Sequence, residues 1–109
     1  KNHEVIASHI LSQMMEIFNE RRKESGKGKM FSKTILAHNS TTIEKIAKLF
    51  SLNGSNYITH AFKAYCDAIM EGQIRPENIL NYFLTCHNGN YPLIDKYLEY
   101  YNSNYEITN

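Results

Sequence analysis

The sequence predicts an all-α domain, a compact orthogonal bundle of five to six helices with a candidate helix-turn-helix at its core. Three observations carry this prediction. Apolar residues recur at three- and four-residue spacings along most of the chain, which is the helical period. Only five Gly and two Pro occur in 109 residues, too few for a loop-rich or all-β protein. Alternation of apolar and polar residues, the mark of a half-buried strand, does not persist over any useful length.

The first helix is read from Val5, Ile6, Ile10, Leu11, Met14, Met15 and Phe18, an apolar stripe of about five turns. Arg21, Arg22 and Lys23 gather near its end, where cations favour the negative pole of the macrodipole. Gly26 and Gly28 stop it, and Glu24 to Lys29 form a flexible connector. A short second helix follows, with Ser32 as N-cap and Ile35-Leu36 buried, and His38-Asn39-Ser40 breaks it. The third begins at Thr41, with Glu44 at capping-box spacing, and its stripe is Ile43, Ile46, Ala47, Leu49 and Phe50.

Ser51-Leu52-Asn53-Gly54 is read as a turn, and Ser55 as the N-cap of a fourth helix. That helix turns Ile58, Ala61, Phe62, Tyr65, Cys66, Ile69 and Met70 inward and ends at Gly72, a C′ glycine. Pro76-Glu77 opens a fifth helix, with Pro at its first position and an acid in its first turn, burying Ile79, Leu80 and Phe83. Asn88-Gly89-Asn90 is a turn. Pro92 opens the sixth helix, striped by Leu93, Ile94, Tyr97, Leu98 and Tyr101, and residues 102–109 are expected to fray.

A chain of 109 residues has room for one modest core, so residues 1–109 are read as a single helical domain. Its first residue is not Met, which fits a domain excised from a longer protein or a chain trimmed at its start. Apolar runs are too short to span a bilayer, and Lys1-Asn2-His3-Glu4 lacks the apolar core of a secretory signal. Two cysteines, Cys66 and Cys86, are too few for a disulfide scaffold. A reducing, cytoplasmic setting is therefore expected.

Net charge is only +1, but it divides unevenly: residues 1–64 hold ten Lys/Arg against five Glu, and residues 65–109 two against six Asp/Glu. Such asymmetry can mark a side that faces nucleic acid, or simply two solvated faces. The helix-turn-helix reading of residues 41–63 sharpens the first alternative. Ala47 is small where a second helix would cross, and Asn53-Gly54 tolerates unusual backbone angles. Ile46, Phe50, Leu52, Tyr57 or Ile58, and Ala61 would wedge the two helices at a fixed angle. Asn56, Thr59, His60 and Lys63 would then project from the recognition helix to base edges. Lys45 and Lys48 would meet phosphates, joined by Arg21, Arg22, Lys27 and Lys29. Against this, the turn carries its Gly late, the recognition helix lacks Arg, and it turns acidic at Asp67 and Glu71. The basic run 21–33 also reads as a helix end dressed with cations and a solvated loop.

Other chemistries find less footing. His60, Cys66, Cys86 and His87 have no metal-ligand spacing, and Cys66 belongs to a core stripe, so neither metal nor cofactor is expected. Neither cysteine sits with a histidine in a nucleophile signature, and the acids are scattered singly. The chain is read as a non-enzyme with no evident small-molecule substrate and no membrane partner. The leading expectation is a nucleic-acid-binding domain, serving regulation or a replication or mobile-element apparatus, with DNA as partner. The alternative is a protein-interaction or self-association module using the Tyr-rich last helix, through Tyr97, Tyr100 and Tyr101. Aromatics left over after core packing are typical interface anchors.

Overall fold

The computed structural model describes residues 2–26, 40–73 and 82–105. These residues form four helices and no strand: α1 (Asn2–Glu24), α2 (Ser40–Asn53), α3 (Ser55–Met70) and α4 (Pro92–Tyr105). The segments expected to hold the short second helix and most of the fifth lie outside the described residues. The all-helical class is as the periodicity predicts.

In α1 the buried stripe is Ala7, Ile10, Leu11, Met14 and Phe18, spaced to lie on one face. Val5 and Ile6 were expected on it, yet Val5 is 73% and Ile6 37% exposed. The reason is phase: at 3.6 residues per turn Val5 lies about 160° from the centre of the stripe, and Ile6 at its edge. The basic last turn, Arg21 to Lys23, stands where expected. Gly26 follows it at φ 73°, its N–H donating to the Lys23 carbonyl at 3.2 Å.

α2 buries Thr42, Ile46 and Leu49, with Ile43, Ala47 and Phe50 packed against the core. It lies antiparallel on the first half of α1, where His3 meets the Phe50 ring edge-on at 5.7 Å. Its end corrects the expected turn. Residues 51–53 remain helical, the Ser51 hydroxyl donating to the Lys48 carbonyl at 2.8 Å, and Leu52, expected as a wedge, is 67% exposed. The whole break is Gly54, at φ 83° and ψ 170°, a region essentially reserved for glycine. Ser55, expected to cap α3, is instead its first residue. Gly54 holds the cap position, and no side chain caps the helix.

α3 is the hub. Ten of its sixteen residues are buried, because α1 covers one side and α4 another. Its direction follows that of α1: Arg21 reaches Asp67 and Ser25 reaches Met70. α4 runs the same way, with Tyr57 beside Asp95 and Tyr65 beside Tyr97. Aromatic rings fill the space between. Phe83 packs edge-on to Phe62 at 5.2 Å and tilted to Tyr65 at 4.9 Å, separations typical of favourable aromatic pairs. The helix ends in the Schellman arrangement: the Gly72 N–H donates to the Ile69 carbonyl and that of Gln73 to Ala68, each at 3.0 Å. Gly72 (φ 83°) is the expected C′ residue.

The expected turn at Asn88-Gly89 has both residues at positive φ, 52° and 79°, the type I′ geometry. His87 and Asn90 exchange backbone hydrogen bonds across it at 2.7 and 3.0 Å. α4 then opens at Pro92 as predicted. It does not fray at 102: the helix continues through Tyr105, since no Gly or Pro interrupts it.

Candidate interaction surface

Two grooves flank α3, and six of the thirteen expected site residues line them. The first lies on the α1 side, about 400 Å³ in volume, where Asn56, His60 and Lys63 of α3 face Glu16 and Glu20 of α1. Asn56 is exposed there, and Lys63 and His60 are half-buried. Thr59 is buried, its hydroxyl donating to the Ser55 carbonyl at 3.2 Å, so a base-edge contact from it requires a neighbouring helix to move. The His60 ring stacks on Tyr101 of α4 at 4.2 Å and 17°. The Lys63 ammonium stands 5.9 Å from the centroid of the same ring, within cation–π range. The side chains expected to read DNA thus line a groove that holds two carboxylates, with His60 and Lys63 also packed on an aromatic ring of α4. Glu16 and Glu20 escaped sequence reasoning, although their four-residue spacing puts them on one face of α1.

The expected phosphate contacts divide. Lys45 and Lys48 are exposed on α2, one turn apart, and Arg22 is half-buried. Arg21 ties helices together instead: its Nε donates to Asp67 Oδ1 at 2.7 Å, and its guanidinium reaches Glu24 at 3.4 Å. Lys27 and Lys29 lie outside the described residues.

The second groove lies on the α4 side. It holds about 180 Å³ between Asp67 of α3, Glu71 just past its end, and Tyr97, Tyr100 and Asn104 of α4, floored by Ala64 and Ala68. The three tyrosines expected at an interface separate here. Tyr97 is buried, leaving 5% exposed. Burial raises its phenol above the ordinary 10, with Tyr100 and Tyr82 adding to the effect. Tyr101 is half-buried under His60. Tyr100 stands 48% exposed, and Tyr82, which the sequence did not single out, 55%. Tyr100 packs on Tyr97 at 5.6 Å, so a rigid buried ring supports an exposed one. Helical phase alone separates Tyr100 from Tyr97 and Tyr101; Tyr82 gave no periodic signal.

Cys66 is buried and Cys86 exposed. Burial, then the neighbouring Asp67, raises the Cys66 thiol well above 9.0, with Arg21 opposing, and a protonated buried thiol is a weak nucleophile. Among the described residues no group of three His, Cys, Asp or Glu side chains is close enough to hold a metal ion, and no helix is long and apolar enough to cross a membrane. No protein-family model, curated protein or solved structure matches this chain.

Proposed function

We propose that this chain is a protein-interaction module whose contact face is the outer side of α4 and the adjoining residue 82, anchored by Tyr100 and Tyr82. One observation carries the reading. α3 spends ten of its sixteen positions on the core, while two tyrosines beside the buried Tyr97 keep about half of their surface in water. A recognition helix needs a free face to enter a groove of DNA. Exposed rings braced by buried ones are the usual anchors of protein interfaces. Partners are then other protein chains or a second copy of this one, and the chemistry is binding without catalysis.

The test is selection of binders from a random-peptide library on the folded domain. Peptides whose binding disappears on Tyr100→Ala or Tyr82→Ala, with the thermal midpoint of the domain retained, support the reading. Binders indifferent to both substitutions, or none at all, refute it.

A second reading is favoured by the exposure of Lys45 and Lys48 together with the Lys/Arg excess of residues 1–64. On it, α2 and α3 serve as a helix-turn-helix within an orthogonal bundle of five to six helices, and the cations on α2 grip phosphates. Its signature is binding to mixed duplex DNA at about 50 mM salt that weakens steeply as salt rises, through counterion release. Such binding, unaffected by Tyr100→Ala and lost with Lys45→Ala and Lys48→Ala together, puts nucleic acid in place of a protein partner.

A further inference from the structure

The groove between α3 and α4 has a size and a chemistry that select one kind of side chain. At about 180 Å³ it is smaller than the roughly 300–1,000 Å³ typical of small-molecule sites. Its floor is two alanines and its walls are tyrosine rings and carboxylates, and among the described residues no Lys or Arg lines it. Glu71 accepts a hydrogen bond from the neutral Gln73 amide at 3.1 Å, which leaves its negative charge available to a cation. The helix already uses tyrosine faces in this way: Lys96 stands 5.4 Å from the Tyr97 centroid and Lys63 5.9 Å from that of Tyr101. Tyr100, the more exposed ring between them in sequence, faces the carboxylates. Residues 65–109 hold six acids against two bases, and two of the acids, Asp67 and Glu71, line the groove.

We propose that this groove receives an arginine side chain from a partner protein, its guanidinium stacked on Tyr100 and paired with the Glu71 carboxylate. The proposal rests on the interaction reading above and names the partner chemistry of the same face. Arginine fits better than lysine for two reasons. Its planar group stacks on a ring while its fork of donors meets a carboxylate bidentately. It is also more weakly hydrated than an ammonium, so entry into a narrow slot costs less.

The test uses the whole chain and three soluble peptides of one Gly/Ser sequence, carrying arginine, lysine or citrulline at the same positions, followed by amide chemical shifts. The arginine peptide is expected to move the amides of Glu71, Tyr100 and Asn104. The lysine peptide should bind more weakly, and citrulline, planar but uncharged, should fail. Glu71→Gln and Tyr100→Ala should each weaken the arginine peptide roughly tenfold, whereas Glu16→Gln in the other groove should leave it unchanged. Equal binding of the arginine and lysine peptides, indifference to Glu71→Gln, or shifts centred on Glu16 and Glu20 overturns the proposal. Library peptides that need Tyr100 but contain no arginine refute the arginine pocket and leave the interface standing, so the two failures are distinguishable.

Discussion

The two grooves beside α3 share a helix and differ in what their charges face. On the α1 side Lys63 and His60 share a groove with Glu16 and Glu20 and pack on the Tyr101 ring, so cation, carboxylate and aromatic face are all supplied by the chain itself. On the α4 side Asp67 is held by Arg21 of α1, Glu71 meets the Gln73 amide, and among the described residues no cation lines the groove. A charge matched within the fold has already given up part of its capacity to attract a partner, because displacing the internal contact costs what the new one returns. Residue type alone therefore misleads. Lys63 reads as a DNA contact in the sequence and stands over the Tyr101 ring in the structure, whereas Tyr100 reads as an interface anchor in the sequence and stands 48% exposed in the structure.

The contrast depends on α3 being a hub. Phe62→Ala removes a fully buried ring packed on Phe83 and should cost about 3–5 kcal/mol, the usual penalty for deleting a core aromatic. Chemical denaturation against the parent measures it, and a cost below about 1 kcal/mol would show that α3 is not the helix on which both grooves are built.

Next in size is the hinge that sets α3 against α2. A Cβ added at Gly54 meets nothing within 4 Å, but φ is +83°, so Gly54→Ala pays only backbone strain, of about 1–3 kcal/mol. A D-alanine placed there by chemical synthesis, which tolerates positive φ, should recover most of the loss. If both variants lose equally, crowding and not backbone angle governs the break.

High pH tests the packing between α3 and α4. Tyr57, Tyr65 and Tyr97 are all raised above the ordinary 10, in each case chiefly by burial, and Cys66 above 9.0 likewise. Groups raised on folding stabilise the fold fully below their unfolded values, and that stability drains as pH climbs past them, because the unfolded chain releases its protons first. The denaturation midpoint should stay level to about pH 8.5 and fall by about pH 10.5. Tyr65→Phe should flatten the fall; an unchanged slope would mean that the Tyr65 phenol is not held away from water.

Smaller again is the tie between α1 and α3. Arg21→Gln removes a charge-assisted hydrogen bond of 2.7 Å between side chains 22% and 32% exposed, worth about 1 kcal/mol after solvent screening. The loss should shrink in the Asp67→Asn background, since the two residues act as a pair. Additive losses would mean that Arg21 acts elsewhere, and would return it to the list of cations open to a phosphate.

Much of this frame was legible before any coordinates, and the reasons are local. Gly72, Asn88-Gly89 and Pro92 announce themselves because each meets a backbone requirement few other residues satisfy. The buried faces of α1 and α2 follow from spacing, except where a run of apolar residues (Val5, Ile6) hid the phase. The turn at 51–54 was read too long because Ser, Asn and Gly all favour turns, yet one glycine sufficed. The centrality of α3 had a signal that went unused: between Ser55 and Met70 the only charged residues are Lys63 and Asp67, and a helix with so little charge is covered on several sides. The groove at Glu71 had no such signal. It exists because α4 returns alongside α3 in the same direction, and that depends on the path of the chain between them.

The smallest expected effect bears on the reading that the sequence favoured. Asn56 is the exposed residue among the four placed on the recognition helix, and Lys48 is exposed on α2. Asn56→Ala and Lys48→Ala should each change stability by no more than about 0.5 kcal/mol, as surface substitutions away from special contacts do. Thr59→Ala, by contrast, opens space at a buried position and should cost more than either. Because Asn56 and Lys48 are free of such structural cost, they are the cleanest probes of a nucleic-acid contact. A loss of DNA affinity there, at unchanged midpoint, would move the functional surface from the tyrosines of α4 to the junction of α2 and α3. Unchanged affinity in both, beside a loss with Tyr100→Ala in peptide binding, leaves α4 as the working face.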